Sequence, residues 1–214
     1  MSETFMQAFG RRVLLGDGAM GTQLQCAGLE AGGCGEAWNL EHPDRLLAIQ
    51  KAYVKAGSDC LTTNTFGGCR IMLERHGRER DVAAINRAGV EVAREAFGGA
   101  AGFVIGDIGP FGGLMEPYGE VTQQQVREAF AEQAEALVSA GVDALIIETQ
   151  TALEELAIGI EAAKKAGAPC VIGSMAYDVT RDGSEIRTMM GIDPEQAAAF
   201  MRDAGVDVLA LNCG

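Results

Sequence analysis

The sequence lacks an excess of basic residues, and this shortage narrows the range of partners. It contains 17 Lys and Arg against 30 Asp and Glu, which gives a formal net charge of −13 at pH 7. Nucleic acids and anionic membranes bind proteins through basic surfaces that displace counterions. We therefore expect neither as the main partner, which leaves a small molecule or another protein.

Long apolar runs are missing as well. The opening, MSETFMQAFGRR, has no apolar segment of the kind found in signal peptides, and no later run approaches the ~18 apolar residues of a membrane span. These features predict a cytoplasmic protein. The chain also has no linker or low-complexity tract, and 214 residues with 48% hydrophobic content are enough for one sizeable core. We therefore expect a single domain over residues 1–214.

The cysteine content does not indicate a disulfide-stabilised protein. A chain of this size with a large apolar core needs no covalent cross-links, and Cys60 and Cys170 lie in strand-like segments. We expect reduced thiols at Cys26, Cys34, Cys60, Cys69, Cys170 and Cys213.

Short apolar runs alternate with helix-like segments along the whole chain. The crossovers between runs are long enough for a helix, which predicts parallel pairing. Each run ends in polar residues, as expected when the carboxyl ends of barrel strands carry a site. The pattern predicts an α/β fold, a TIM (β/α)8-type barrel with about six of its eight βα units present. The predicted strands are Arg12–Gly16, Asp59–Phe66, Phe103–Ile108, Ala144–Glu148, Cys170–Met175 and Val206–Gly214.

Helix boundaries follow from capping and breaking residues. Thr122 with Gln125, and Thr151 with Glu154, have the spacing of capping boxes. Asp193 followed by Pro194 and Gln196 predicts a further helix start, while glycines end the helices. The Gly-rich segment from Cys26 to Glu41, which includes Trp38, is predicted to be an irregular loop over the strand ends.

Four groups at strand ends are candidates for chemistry, and each also has an ordinary structural interpretation. Asp17 lies in a glycine-rich turn, where its carboxylate can hold an ammonium group or simply form the turn. Glu148 ends an apolar strand and is either functional or part of a buried ion pair. Thr63-Asn64-Thr65 is either a substrate cradle or an internal polar ladder. Cys213 is either a reactive thiol or a small buried apolar side chain.

Taken together, the motifs GDGAMGTQL, TTNTFGG, GDIGPFG, LIIETQT, TMMG and LNCG strongly resemble the homocysteine S-methyltransferase family, from about residue 10 to residue 214. This family includes cobalamin-dependent methionine synthase and betaine-homocysteine methyltransferase. The GDIGPFG and TMMG segments resemble the corrinoid-linked branch more than the betaine enzyme.

The resemblance implies methyl transfer to homocysteine, giving methionine, at a zinc ion bound by three cysteine thiolates. Cys213 would be the first zinc ligand, and Asp17 and Glu148 would hold the amino group of homocysteine. Gly18 would offer backbone contacts, and Thr63, Asn64 and Asn212 complete the predicted substrate site. The methyl group would come from a corrinoid protein or domain carrying methylcobalamin, or from another donor.

The sequence departs from the family pattern in one respect. The family's other two zinc ligands lie in a Gly-Gly-Cys-Cys-Gly motif after strand eight, which this sequence does not contain. We expect the chain to be the front part of a longer protein. Two alternatives stay open: another chain or a second copy provides the missing strands, or Cys26, Cys34, Cys69 or Tyr177 completes the metal site.

Two other functions also stay open. One is a non-catalytic barrel fragment that binds an amino acid or assembles with another chain. The other is a different barrel enzyme, such as an aldolase or a phosphate-binding isomerase. The latter is disfavoured because no lysine stands at a strand end and no Gly-rich phosphate loop follows a late strand.

Overall fold

A computed structural model describes residues 3–213 and shows an α/β fold built on one parallel sheet. The strands are β1 (Cys60–Thr62), β2 (Phe103–Ile108), β3 (Ala144–Gln150), β4 (Val171–Ala176), β5 (Asp178–Val179), β6 (Ile186–Arg187) and β7 (Val208–Asn212). The order β1-β2-β3-β4-β7 forms a curled, open half-barrel of parallel strands. The short β5 and β6 form a separate antiparallel hairpin.

Helices connect the strands and cover the outer face of the sheet. They are α1 (Phe5–Phe9), α2 (Met20–Cys26), α3 (Trp38–Glu41), α4 (Pro43–Ala56), α5 (Arg70–Glu74), α6 (Val82–Ala96), α7 (Gln123–Ser139), α8 (Leu153–Ala166) and α9 (Pro194–Asp203). Within residues 3–213, no helix has both the length and the apolar character needed to cross a membrane.

Four of the predicted strands are confirmed, with ends that differ by at most two residues, and the three of them in the centre of the sheet are largely buried. The second is shorter than predicted: β1 ends at Thr62, and the chain then turns, with the Thr65 N–H donating to the Thr63 carbonyl at 2.9 Å. The last residue of the predicted sixth strand, Gly214, lies outside the described residues.

The predicted first strand, Arg12–Gly16, is not formed. Leu15 is held instead by the Asp59 turn: its N–H donates to the Asp59 carboxylate at 2.9 Å, and its carbonyl accepts from the N–H of Asp59 at 2.7 Å and of Cys60 at 3.0 Å. The Asp59 carboxylate therefore accepts the hydrogen bond that a main-chain carbonyl of a neighbouring strand would accept in a regular sheet. Val13 in the same segment is 92% exposed, so the run lacks the burial that would favour a regular strand.

Two of the three predicted helix starts are confirmed. Thr122 caps α7, and its hydroxyl accepts from the Gln125 N–H at 3.2 Å while the Gln125 side chain bonds back to Thr122. Asp193 forms the equivalent box with Gln196 at α9. The box predicted at Thr151 is wrong, because α8 begins one residue later, after Ala152, and has no side-chain cap.

The predicted loop from Cys26 to Glu41 contains regular structure at both ends. Helix α2 ends at Cys26, and α3 begins at Trp38, which is only 5% exposed. Trp38 packs with Leu24, Leu46 and Val92 in a small apolar cluster. Burial of the indole ring explains why a short helix forms where the glycines of the sequence predicted none.

The sheet has a different core on each face, as the two-residue alternation of strands requires. The outer face packs against the helices through residues such as Val104, Leu145 and Val171. The inner face is apolar only at the amino ends of the strands, where α1 covers it with Phe5 and Ala8. Each fully buried aliphatic side chain in these cores contributes ~1.5–3 kcal/mol to folding.

Strand β7 lies at the edge of the described sheet. Its side chains alternate between partial burial and exposure, and Leu209 and Leu211 on the outer side are 47% and 78% exposed. Outer-face residues at the same level in β2 and β3 are covered by helices. The β7 edge is therefore the least protected part of the described sheet.

The two capping predictions lead to a direct test of stability. Replacing Thr122 with Ala removes a capping hydroxyl from α7, and we expect the free energy of unfolding to fall by about 1 kcal/mol. Thr151→Ala is the matched control and should change it by less than about 0.5 kcal/mol. Urea unfolding followed by circular dichroism measures both. Equal losses at the two positions would contradict the assigned helix starts.

Candidate functional site

The inner face of the sheet changes from apolar to polar at the carboxyl ends of its strands. On each strand, the residues that share this face alternate, so an apolar residue at the amino end is followed by a polar residue two or four positions later. In β3, for example, Ala144 and Ile146 belong to the inner core, and Glu148 follows them on the same face. The polar residues placed in this way are Thr62, Asp107, Glu148, Ser174 and Asn212.

Asp17 lies against the end of β1. Its carboxylate accepts hydrogen bonds from the N–H and the hydroxyl of Thr62, both at 3.0 Å. Burial raises the pKa of Asp17, and the two bonds from Thr62 partly offset this rise. The hydrogen bonds therefore fix the orientation of a half-buried carboxylate beside the sheet. Whether it binds a substrate stays a prediction.

Glu148 and Asp107 form a pair of carboxyl groups on neighbouring strands. They lie within hydrogen-bonding reach of each other. Burial, followed by the nearby charges of Glu148 and Glu36, raises the pKa of Asp107 well above its ordinary value. Burial also raises the pKa of Glu148, although the hydrogen bond with Asp107 opposes that rise. Asp17 is close enough for its charge to contribute in the same direction to both.

The acidic groups have no basic partner in the described part of the chain. Within residues 3–213, no ion pair involves Asp17, Glu36, Asp107 or Glu148, although ion pairs occur elsewhere on the surface. Partly buried carboxylates without a cation are unfavourable. This arrangement favours binding of a positively charged group from outside the chain.

The predicted cradle at Thr63 and Asn64 is part of an internal hydrogen-bond network. The Thr63 hydroxyl accepts from the Asp107 N–H at 3.0 Å and lies 2.6 Å from the hydroxyl of Thr65. The Asn64 amide donates to the Gly35 carbonyl at 2.8 Å and to the Asn39 side chain at 2.9 Å. These bonds support the structural alternative, and direct contact with a substrate stays a prediction.

Asn212 connects the ends of β3, β4 and β7. Its side-chain oxygen accepts from the Ser174 hydroxyl at 2.7 Å and from the Thr149 N–H at 3.2 Å. Its amide donates to the Thr149 hydroxyl at 2.7 Å and to Cys213 Sγ at 3.2 Å. The hydroxyl of Thr149 also lies 3.7 Å from Cys213 Sγ. Asn212 therefore orients the exposed thiol rather than leaving it free to rotate.

Backbone strain coincides with this network. Thr149 and Cys213 have positive φ values of 57° and 51°, which non-glycine residues rarely adopt. At Thr149 the register of β3 against β4 shifts between Ile147 and Gln150, as in a β-bulge. Bulges of this kind redirect side chains at the ends of strands and are frequent next to functional sites.

Gly18 follows Asp17 and approaches the side chain of Tyr53 closely. A Cβ atom at this position would lie 3.0 Å from the Tyr53 ring and hydroxyl. The same hydroxyl donates to the Ala19 carbonyl at 3.1 Å. A side chain at position 18 would therefore require the Tyr53 side chain to move by a few tenths of an ångström. The predicted backbone contact with a substrate is not tested by this packing.

The interpretation that other residues complete a metal site around Cys213 is wrong for the described chain. Across residues 3–213, no three His, Cys, Asp or Glu side chains are grouped so that they could hold a metal ion. Cys69 is buried, and burial raises the pKa of its thiol to about 11. Cys34 lies beside Glu36, Cys26 is exposed on α2, and Tyr177 packs against the outer core. The described residues therefore do not by themselves fit a zinc ion.

Two surface clefts lie away from the acidic pair. One, of about 420 Å³, is lined by Trp38, Arg45 and His76 among others, and the second, of about 690 Å³, is formed by the β5–β6 hairpin and the start of α9. Apart from Cys34, which lines the first cleft, neither includes a residue proposed for the site. Because the described sheet is an open half-barrel, its polar inner edge is a broad surface rather than an enclosed pocket.

Sequence reasoning missed several residues of this constellation. Asp107 lies within the predicted strand Phe103–Ile108, but its burial depends on contacts from other strands. Thr62 lies 45 residues from Asp17, and Ser174 lies 38 residues from Asn212, so no local pattern links them. The one signal in the sequence is the alternation of side chains along each strand. Every second residue after an apolar inner-face residue lies on the same face, and this spacing identifies Thr62, Asp107 and Ser174.

The positive φ of Thr149 leads to a test in which two substitutions remove the same hydroxyl. We expect Thr149→Gly to be more stable than Thr149→Ala by about 1 kcal/mol, because only glycine adopts positive φ without steric cost. At Thr151 the order should reverse, since glycine there only adds flexibility to the unfolded chain. Chemical unfolding of the four variants measures the difference. The same order at both positions would contradict the strained conformation.

Glu155, in the first turn of α8, is a second buried carboxyl group. Burial raises its pKa to about 7, although the Phe111 N–H donates to it at 2.8 Å. In the unfolded chain the carboxyl ionises near pH 4.5. Ionisation is thus harder in the folded protein, and stability should be lost as the pH rises from about 4.5 through about 7.

Glu155→Gln removes this titration while keeping an oxygen that can accept from Phe111. We expect the variant to gain stability relative to the natural chain between pH 5 and pH 8, by up to about 3 kcal/mol. Unfolding free energies measured at several pH values test this. A difference that does not change with pH would show that Glu155 has an ordinary pKa.

Known proteins with similar sequences and folds show the family. A family model described as homocysteine S-methyltransferase matches residues 14–214. Methionine synthase of Mycobacterium leprae is 29% identical over 97% of this chain, which spans 18% of that protein. Betaine–homocysteine S-methyltransferase 1 of Sus scrofa is 26% identical over 94% of this chain and 70% of its own length.

A solved structure shows the same fold. The metallated form of the homocysteine methyltransferase MmuM from Escherichia coli superposes with a TM-score of 0.77 at 21% identity, over 96% of this chain and 76% of that protein. The chain spans about a fifth of the methionine synthases that it matches. With a family model covering nearly its whole length, this chain belongs to the homocysteine S-methyltransferase family.

Proposed function

We propose that this chain binds homocysteine and presents its sulfur for methylation to methionine. The observation that carries the proposal is the group of carboxylates at the strand ends, which has no basic partner within residues 3–213. Asp17 and Glu148 would hold the ammonium group of the substrate through charge-assisted hydrogen bonds. The names of the relatives support this assignment, since each of them refers to homocysteine or methionine.

The position of Cys213 agrees with this proposal. Thr149, which immediately follows Glu148, lies 3.7 Å through its hydroxyl from Cys213 Sγ. A substrate held by its ammonium group at Glu148 would therefore extend its own sulfur toward the exposed thiol. Asn212 contributes by holding that thiol at the strand end, and the Gly18 backbone would contact the rest of the amino acid.

The reaction itself is a simple substitution. The homocysteine thiolate forms a bond to the methyl carbon while the bond between that carbon and the donor breaks, and the electron pair leaves with the donor. The proton of the thiol is released before or during attack. This chain's residues orient the nucleophile, and a corrinoid-linked donor such as methylcobalamin, on another domain or protein, would provide the methyl group.

Cys213 is the only described residue that we propose as a zinc ligand. A thiolate at this position would contribute one ligand to a zinc ion that also binds the homocysteine sulfur. The described residues do not complete such a site, so we derive no step through the metal.

Several other expectations from the sequence also stay predictions. They are the closed (β/α)8 barrel, the single domain, the count of six units, a cytoplasmic location and association with a second chain along the sheet edge.

A second candidate function is amino-acid binding without catalysis. It is favoured by the same finding, that no three potential ligands are grouped in residues 3–213. The two functions differ in one measurable respect: methionine formation from homocysteine in the presence of zinc and a methyl donor. Turnover by this chain would eliminate the binding-only alternative.

Binding of homocysteine by calorimetry tests the proposed site. We compare it with 4-mercaptobutyrate, which has the same thiol and carboxylate but no ammonium group. The natural chain should prefer homocysteine, and Asp17→Asn or Glu148→Gln should weaken homocysteine binding about 10- to 100-fold, as expected for losing a hydrogen bond to a charged group. Binding of 4-mercaptobutyrate should change little.

Asp203→Asn provides the control for this experiment. It removes the same charge from an exposed position on α9, where the side chain is 69% exposed. We expect it to bind both ligands as the natural chain does. Equal affinity of the natural chain for the two ligands would refute an ammonium site at Asp17 and Glu148.

A further inference from the structure

The carboxyl group of Asp107 is buried without a donor. The residue is only 4% exposed, and Asp107 Oδ1 accepts no hydrogen bond from any N–H or O–H group in the described part of the chain. The hydrogen bonds that do reach Asp107 involve its main chain: its N–H donates to Thr63, and its carbonyl accepts from Thr65 at 2.8 Å and from Gln133 at 3.2 Å. The backbone is thus firmly held while the side chain has no ordinary partner.

The charged groups that influence this carboxyl group are all acidic. Glu148 on β3 lies within hydrogen-bonding reach, and Glu36, before α3, and Asp17, before α2, add negative charge. Two ionised carboxylates in contact repel each other strongly in a buried setting. One proton shared by Asp107 and Glu148 removes the repulsion and gives each side chain a hydrogen-bonding partner.

Burial decides which of the two carries the proton. Asp107 is almost completely shielded from water, whereas Glu148 is half-buried and reaches the open edge of the sheet. The charged form is less favourable at the more buried position. Burial raises the pKa of both groups, well above the ordinary value for Asp107, while for Glu148 the hydrogen bond with Asp107 opposes the rise.

We propose that Asp107 is a positioning residue, which remains protonated and donates a hydrogen bond that orients the Glu148 carboxylate toward the ammonium group of homocysteine. It acts through Glu148 and does not itself touch the substrate. This inference rests on the proposed function. It adds a residue to the ammonium site and assigns that site two ionised carboxylates, Asp17 and Glu148, rather than three.

Two substitutions at Asp107 separate the hydrogen bond from the packing. Asp107→Asn keeps the shape and an N–H donor for Glu148 at all pH values, whereas Asp107→Ala removes the donor. We expect Asn to bind homocysteine within about threefold of the natural chain and Ala to bind about tenfold more weakly or worse. Circular dichroism and thermal unfolding establish that each variant is folded before binding is measured.

Infrared spectroscopy tests the proton directly. We use Glu155→Gln as the background, so that this second buried carboxyl group does not contribute. The background protein at neutral pH should show the carbonyl band of a protonated carboxylic acid, and adding Asp107→Asn should remove it. The band reports only whether Asp107 is protonated, and the binding of the Asn and Ala variants tests whether it orients Glu148.

The outcomes separate the two proposals. Asn binding as weakly as Ala, with both folded, would overturn the positioning role, and so would a background spectrum without a protonated carboxyl band. If the natural chain binds no homocysteine, the proposed function fails and the substrate role of Asp107 fails with it. The infrared band would then still decide whether Asp107 is protonated.

Discussion

Parallel pairing of the strands is the constraint on which the rest of this structure depends. Because the strands run in one direction, every carboxyl end lies at the same edge, and the two-residue alternation gives each strand one side chain on the inner face there. The amino half of that face is closed by apolar residues and α1. Polar groups far apart in sequence, such as Asp107, Glu148 and Asn212, are brought together without any direct sequence link.

This arrangement places an electrostatic cost at the site and a stabilising core away from it. Carboxyl groups that lose contact with water without gaining a cation make the folded state less favourable. Apolar packing offsets this cost, both between the helices and the outer face of the sheet and on the inner face at the amino ends of the strands. A ligand with an ammonium group would reduce it further, so binding and folding should be thermodynamically linked at this edge.

The fold was largely predictable because central strands have strong, local signals. The run Phe103–Ile108 is confirmed as predicted, since it lies in the sheet interior and is largely buried on both faces. Prediction failed where a single distant contact decides the outcome. Leu15 bonds to the carboxylate of Asp59, 44 residues away, and this prevents a regular strand. The cap predicted at Thr151 was wrong, because α8 begins one residue later, after Ala152.

The site was predictable as a set of strand ends but not as a network. Asp17, Glu148 and Cys213 were identified by residue type and position, and the structure places all three at one edge. The proton between Asp107 and Glu148 depends on burial, and the hydrogen bond from Asn212 to the Cys213 thiol depends on distance. A sequence contains neither quantity.

The edge of the described sheet at β7 has a consequence for how these 214 residues, studied by themselves, behave at high concentration. Unpaired backbone groups beside Leu209 and Leu211 form a surface onto which another extended chain can add. A net charge of −13 keeps copies apart at neutral pH, but this repulsion vanishes near the isoelectric point of about 4.6. Resistance to association through this edge is thus provided by acidic residues spread over the whole surface, and not by the residues of β7 itself.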